Sequence, residues 1–459
     1  MSVFRESASS VQLCNFLQAA GVTTQHITAP LITPTGEIPD AEIPLNAINT
    51  YIDTVSAEIV FKTRTTQGIV FARLPLNMGP PLRTPTMGGS GSTSQTLSFV
   101  TQPTQLAPFI SMRPVKGVNY QPSPSDYNTL PAPFVYGDTD FWNQDFSALW
   151  SMVGNQGGEV GRNDVNIMSS TLNATLIKGF NYADPNNRNH KPFLAYCQQH
   201  NLKVLVPLSN FFINPTNVVQ FADVIIRIIK EASSEPAVVG FTIGNELNDT
   251  DNAAAIAQAF KLITENDTRG LVCCSPLQNF DGTGSTYPQM ATDIKTAITA
   301  IGLTTEYNNR WFQAVNLYPL PSPNPPTDYT YLTKFITETH PTSAFSDEYL
   351  LITEYGWYTN PPGGVPGQTG QDTSVQEQAK IIYNNATNTS YPKFLGGCYF
   401  EWSDELYKPG SSEKSFGLQA FPSPLDFTIG KTTNNLDYRI DVYDTNPSFT
   451  TLASIFKNP

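Results

Sequence analysis

Charge is scarce in this chain. Asp, Glu, Lys and Arg together make up 14% of its 459 residues, beside 37 prolines and 30 glycines. Such a composition excludes a charge-solvated disordered chain and suits a loop-rich globular protein. Basic residues are the scarcer sign: 26 Lys and Arg stand against 39 Asp and Glu, a net charge of −13. An acidic surface repels phosphate backbones, so no nucleic-acid partner is expected, while neutral ligands are unaffected. The five cysteines, Cys14, Cys197, Cys273, Cys274 and Cys398, are odd in number. Their spacing fits neither a disulfide framework nor a zinc site, and buried free thiols are expected. The four histidines, His26, His190, His200 and His340, form no HxH or HExxH; neither a metal nor another cofactor is expected. No apolar run reaches the roughly 18 residues of a membrane span. "MSVFRESASSVQLCNFLQAAGV" has no sustained apolar core of a secretion signal, and "SIFKNP" is no hydrophobic anchor tail. The expectation is a protein that is cytoplasmic or exported by another route.

What is present is apolar: 40% of the residues are hydrophobic, enough for a large core. The pattern changes along the chain. Residues 1–110 form an N-terminal segment of unknown role. It holds expected helices at "SSVQLCNFLQAAG" and "PLNAINTYIDTV", strand-like "SAEIVFKT" and "GIVFARLPL", and a Gly/Ser/Thr/Pro-rich linker beginning "NMGPPLRTPTMGGSGS".

From residue 111 to 459 short apolar runs alternate with amphipathic helical patterns. The expected strands are "VKGVNYQP", "ATLIKGFNY", "LKVLVPLSN", "VVGFTIGNE", "LVCCSP", "FQAVNLYP", "YLLITEYGW" and "GGCYFEWS". Between them "NVVQFADVIIRIIKEASS" places Val218, Phe221, Ala222, Ile225, Ile226 and Ile229 on one helical face. "DNAAAIAQAFKLITEN" and "TSVQEQAKIIYNNAT" behave alike. Eight strands with crossovers predict an α/β fold, a (β/α)8 TIM barrel carrying the additional N-terminal segment. An open doubly wound sheet is the rival, weakened by the lack of GxGxxG after the first strand.

Catalytic groups of such barrels sit where strands end. Here the fourth strand ends in Asn245-Glu246 and the seventh in Glu354-Tyr355. An ionised carboxylate is expensive in a core unless paired. Taken locally, Asn245 and Glu246 can equally be a helix cap and a first-turn acid. Two glutamates facing each other across a barrel mouth suit glycosidic bond cleavage. A gap of about 5–5.5 Å makes one the nucleophile and the other an acid and then a base, whereas about 6.5–9.5 Å leaves room for an inverting water.

"GNE" with "TEYGW", together with "GVNYQP", "IKGFNYADPNNRNH", "NLY" and "YFEW", resembles the retaining glycoside hydrolases of clan A. The likeness, over roughly residues 115–405, is to fungal cell-wall β-1,3-glucanosyltransferases and related β-glucanases. It implies Glu246 as acid/base and Glu354 as nucleophile. It also implies Asn245 on the sugar 2-hydroxyl, Tyr318 donating to Glu354, and Trp402 as floor of the sugar subsite, with Tyr120 and Tyr182 as cleft wall. The implied partner is an oligo- or polysaccharide, attacked by double displacement. Those enzymes are normally secreted, disulfide-braced and lipid-anchored, signs missing here, and "EWSDELYKPGSSEKSFGLQAF" is more similar to bacterial clan A hydrolases; hydrolysis and glucanosyl transfer both stay open. A second class of reading is an inactive carbohydrate-binding or structural protein on the same barrel. A third, a barrel acting on phosphorylated substrates, wants basic residues beside "PPGGVPGQTG", and none is adjacent.

Overall fold

The computed structural model describes residues 32–33, 48–53, 58–65, 68–75, 106–130, 139–280, 287–319, 328–359, 368–410 and 413–458. The chain divides into two compact units, Met1–Thr104 and Gln105–Pro459.

In the first unit four strands, Ile32–Thr33, Ile48–Asp53, Glu58–Thr65 and Gly68–Pro75, form one sheet in chain order. The first two strands run parallel and the others pair antiparallel. The last two are the strand-like pieces of the sequence. The helix expected over "PLNAINTYIDTV" is instead the strand Ile48–Asp53. Ile48, Thr50 and Ile52 put a β-branched residue at every second position, and that period prevailed over the helical one. The expected helix at "SSVQLCNFLQAAG" and nearly all of the linker, with Cys14, lie outside the described residues.

In the second unit the strands are numbered here by their order in the sheet: β1 Val115–Asn119, β2 Leu176–Lys178, β3 Lys203–Leu208, β4 Val238–Ile243, β5 Val272–Cys274 continuing as Pro276–Phe280, β6 Gln313–Tyr318, β7 Leu350–Tyr355 and β8 Phe394–Tyr399. All neighbours pair in parallel. The two ends of the sheet are the two halves of β5, interrupted only at Ser275. The sheet is therefore a closed eight-stranded barrel, as the alternation of apolar runs and helices implies.

Two apolar layers hold it. Inside, Val115, Leu176, Leu205, Val272, Leu351 and Cys398 fill the barrel's lower part, and Phe109 of the short helix Ala107–Ser111 packs against Phe312 with ring centroids 5.0 Å apart. Outside, helices cover the strands; in the helix over "NVVQFADVIIRIIKEASS" the buried face takes Ile228 in addition to the expected Ile225 and Ile229, while Phe221, Ala222 and Ile226 are half-buried. In Ala222–Ser234, Ile225, Ile228 and Ile229 are fully buried, each contributing about 1.5–3 kcal/mol by leaving water. The pattern over "NVVQFADVIIRIIKEASS" is broken once: Asn217–Gln220 is a separate turn ending at Phe221. Four cysteines, Cys197, Cys273, Cys274 and Cys398, are buried free thiols. Among the described residues no helix is long and apolar enough to cross a membrane.

Candidate active site

Strand β4 ends in a turn that only special backbone conformations allow. Gly244 has φ +69° and Glu246 φ +57°, the latter uncommon for any residue bearing a Cβ. Three hydrogen bonds hold the turn, two of them with Asn210. Glu246 N–H donates to Pro276 O at 2.8 Å, Asn245 N–H to Asn210 Oδ1 at 2.7 Å, and Asn210 Nδ2 to Asn245 O at 2.9 Å. Asn210, just beyond β3, so acts as a substitute ladder partner where regular pairing has stopped. The next helix starts only at Asn252. Asn245 and Glu246 therefore cap nothing, and the local explanation of "GNE" is excluded.

Strand β7 reaches the same rim through a bulge. Val315 of β6 pairs with Ile352, but Asn316 pairs with Glu354, leaving Thr353 as an extra residue. Such an irregularity re-aims the side chain beside it. Thr353 is fastened there by its own groups: its Oγ1 donates to Asn316 Oδ1 at 2.9 Å, and its carbonyl accepts from Asn119 Nδ2 at 3.0 Å.

The two glutamates end in different surroundings. Glu354 is buried, and both its oxygens are occupied: Lys178 Nζ donates to Oε1 at 2.8 Å and Tyr318 OH to Oε2 at 2.9 Å. Lys178 is 1% exposed and also donates to Asn245 Oδ1 at 3.1 Å. Its ammonium stands 4.1 Å from the centre of the Phe180 ring. Among the described residues no cation pairs directly with Glu246. Asn316 Nδ2 donates to its Oε1 at 3.0 Å and Gln278 Nε2 to its Oε2 at 3.2 Å. Burial and the neighbouring Glu354 push the Glu246 carboxyl up to about 7, although Asn316 and Lys178 act the other way. Burial and Glu354 also raise the Tyr318 phenol well above its usual value, keeping it a hydrogen-bond donor.

Both glutamates and Asn245 line one cavity of about 600 Å³, within the range of small-ligand sites. Its apolar walls are Phe180, Trp357, Tyr358, Phe400 and Phe416. Lys408 and Glu413 add charge at one side. Lys408 pairs with Glu405 and lies 4.7 Å from the Phe400 ring centre. Behind it Glu401 is buried, and burial with the Glu405 charge lifts its carboxyl well above the usual range. Among the described residues no group of His, Cys, Asp and Glu is arranged to hold a metal ion.

Three residues expected at the cleft lie elsewhere. Trp402 is fully buried, edge-on to Phe449 at 6.1 Å, and does not line the cavity. The β8 strand ends at Tyr399, and in the segment beyond it Phe400 takes the wall position. Tyr120 follows Asn119, whose side chain points into the barrel, so strand alternation turns Tyr120 outward. There its hydroxyl donates to Asp164 Oδ2 at 3.1 Å. Tyr182 donates to Glu231 at 2.8 Å and stacks on His190 with centroids 3.7 Å apart. His190 itself is a buried link between Asp140 (2.8 Å) and Glu231 (3.0 Å). Burial alone would lower its pKa; the two carboxylates outweigh it and lift it to about 9.

Sequence reasoning missed Lys178, Gln278 and the aromatic walls Phe180, Phe400 and Phe416, and left Asn316 of "NLY" without a role. Lys178 carries a signal: a lysine in the apolar strand "LIK" needs a buried anion. Asn316 does too, since it shares the inward face of β6 with Tyr318 two positions on. Gln278 and Phe416 carry none.

No family model and no curated sequence matches the chain. Among solved structures it is similar to a family 1 β-glucosidase from Thermotoga maritima, at 11% identity and TM-score 0.46 over 74% of this chain and 97% of that one. It is also similar to a GH5_18 protein from Streptomyces cattleya in complex with GlcNAc, at 12% identity and TM-score 0.45 over 74% of this chain and 79% of that one. A third is the β-glycosidase BGL167, at 13% identity and TM-score 0.44 over 64% and 85% of the two chains.

Proposed function

We propose that this cavity is the active site of a retaining β-glycosidase or transglycosylase acting on β-glucan, with β-1,3 linkages favoured. The observation that carries the proposal is the contrast between two carboxyls on one cavity. Glu354 is clamped by a buried ammonium and a phenol, which suits an oriented nucleophile. Glu246, with no directly paired cation among the described residues, is lifted to about 7, which suits a group that gives and takes a proton near neutrality. In the first step a Glu354 oxygen attacks the anomeric carbon while Glu246 passes its proton to the departing glycosidic oxygen. In the second, Glu246 takes a proton from water or a sugar hydroxyl, which attacks the same carbon and releases Glu354. Asn245, oriented by Lys178 and Asn316, holds the 2-hydroxyl. The aromatic walls pack against the apolar faces of the pyranose.

Trapping tests the assignment. A 2-fluoro glycoside with an activated leaving group is expected to add one glycosyl unit to the protein, and peptide mapping to place it on Glu354. A label on another residue, or an inverted product anomer by NMR, overturns it. Products longer than a laminari-oligosaccharide substrate assign transfer; only shorter ones assign hydrolysis.

The raised Glu246 carboxyl sets a pH expectation. The acid is competent while protonated, so kcat/KM on substrates with poor leaving groups should decline as pH rises through about 7. Glu246→Gln should abolish that alkaline limb. A limb unchanged in the variant assigns the titration to another group.

A further inference from the structure

A chain of buried side chains links the strands of the two glutamates, and its hydrogens can be placed one after another. Lys178, Asn316 and Thr353 are all buried. An ammonium only donates, so Lys178 Nζ, 3.1 Å from Asn245 Oδ1, marks that oxygen as an acceptor. Asn316 approaches the same oxygen at 3.3 Å and must do so through Nδ2, whose other hydrogen goes to Glu246 Oε1 at 3.0 Å. That turns Asn316 Oδ1 toward β7, where the Thr353 hydroxyl donates to it at 2.9 Å. Thr353 is the bulge residue next to Glu354, and Asn119 holds its carbonyl. A hydroxyl on the strand of one glutamate thus fixes the amide that faces the other.

We propose that Thr353 is a positioning residue for the acid/base: its hydroxyl keeps Asn316 Nδ2 turned toward Glu246 and so confines the acid's proton to Oε2. This rests on the glycosidase reading above. Glu246 Oε1 meets an N–H in both protonation states and can only accept there, so the proton sits on the other oxygen. Gln278 Nε2, 3.2 Å from Oε2, can donate to that oxygen as carboxylate and as hydroxyl alike. Val has the branched shape of Thr without the hydroxyl. In Thr353→Val neither end of the Asn316 amide has a partner on the β7 side, so nothing there distinguishes its two orientations. Anionic Glu246 still takes Nδ2, but the protonated form can now offer a proton on Oε1 to Oδ1. That proton points at Asn316 and is lost to the substrate. The acid form gains an arrangement that the wild-type hydroxyl denies it, so its pKa rises. The charges around Glu246 stay in place. Burial and Glu354 from β7 raise its carboxyl, Lys178 from β2 lowers it, and Glu413 beyond β8 raises it. Lys408 on the same cavity is paired with Glu405, and the Tyr318 phenol from β6 stays a neutral donor.

The test is the pH profile of kcat/KM on the full chain, for an aryl β-glucoside with a poor leaving group and for a dinitrophenyl β-glucoside. Each variant is first shown to be folded by indole fluorescence. In Thr353→Val the alkaline limb should move up by about half a pH unit or more. The plateau should fall at least about fivefold further on the poor leaving group than on the dinitrophenyl glucoside, since only the former needs the proton. Thr353→Ser keeps the hydroxyl and should return both to wild-type values. Asn316→Ala should move the limb in the same direction, and adding Thr353→Val to it should move it no further, because Thr353 acts through Asn316. Thr353→Ala, which also lacks the hydroxyl, takes the place of Thr353→Val should the latter not fold. A limb that stays put with equal losses on both substrates overturns the proposal, as does a serine variant as impaired as the valine one. If the wild-type chain cleaves neither glucoside nor a laminari-oligosaccharide, the glycosidase reading falls. The hydrogen-bond chain is then read from the Glu246 carboxyl carbon by NMR, its signal identified by its loss in Glu246→Gln. A titration midpoint higher in Thr353→Val than in wild type upholds the chain, and an unaltered midpoint rejects it.

Discussion

Glu354→Gln is expected to lower kcat on the best β-glucoside substrate by about 10⁴-fold or more, the scale on which loss of a covalent nucleophile acts. The amide keeps the shape of the side chain and its contact with Tyr318 but leaves Lys178 without its anion, so the kcat comparison is made on variant protein shown to be folded. No glycosyl adduct should form with the 2-fluoro probe. Glu246→Gln provides the contrast. A general acid contributes typically about 10²–10⁴-fold, but only where the leaving group needs a proton. On a dinitrophenyl glycoside the variant should therefore form its adduct at near wild-type rate and stall afterwards, whereas on a glucan it should be slow from the start. Measured as burst against steady state, this asymmetry separates the two carboxyls. Equal behaviour of the two variants on the activated substrate removes the assignment of roles, and a Glu354→Gln chain within tenfold of wild type removes the nucleophile.

Lys178→Met should strongly destabilise the barrel. Lys178 and Glu354 form a 2.8 Å ion pair with side chains 1% and 6% exposed. Deleting one partner of such a pair leaves a buried charge, at a cost of about 3–5 kcal/mol. The Lys178→Met, Glu354→Gln double variant removes both charges and should recover most of that loss. The difference is the coupling energy of a double-mutant cycle. All five tryptophans, Trp142, Trp150, Trp311, Trp357 and Trp402, lie in the barrel unit, so denaturant unfolding followed by indole fluorescence reads that unit alone. A Lys178→Met loss below about 1 kcal/mol, or additive single losses, means that the pair is not the buried unit described.

The eight strands were legible because each is a short apolar run with turn residues or a helical period on either side. In a barrel buried on both faces such runs are forced by the lack of water anywhere along them. Glu246 and Glu354 were legible for the converse reason: a carboxylate where a strand ends is out of place in a core. The strand Ile48–Asp53 was misread because over a dozen residues helical and alternating periods both fit, and only the partner strand Glu58–Thr65 chooses. Trp402, Tyr120 and Tyr182 were misread because aromatic residues near a strand end look the same from sequence whether they face the mouth or the helical layer.

By itself the sequence determined the barrel, its strand order and the two glutamates at its rim, since hydrophobic period and the cost of a buried charge act locally along the chain. Only the tertiary structure decided what surrounds those glutamates. The bulge at Thr353, the positive φ of Glu246 and the choice of Phe400 over Trp402 arise from contacts between strands far apart in sequence. Lys178 from β2 meets Glu354 from β7, while Asn316 from β6 meets Glu246 beyond β4. A carboxyl becomes anion or acid through the charges and burial around it, and closing the barrel is what brings those neighbours together.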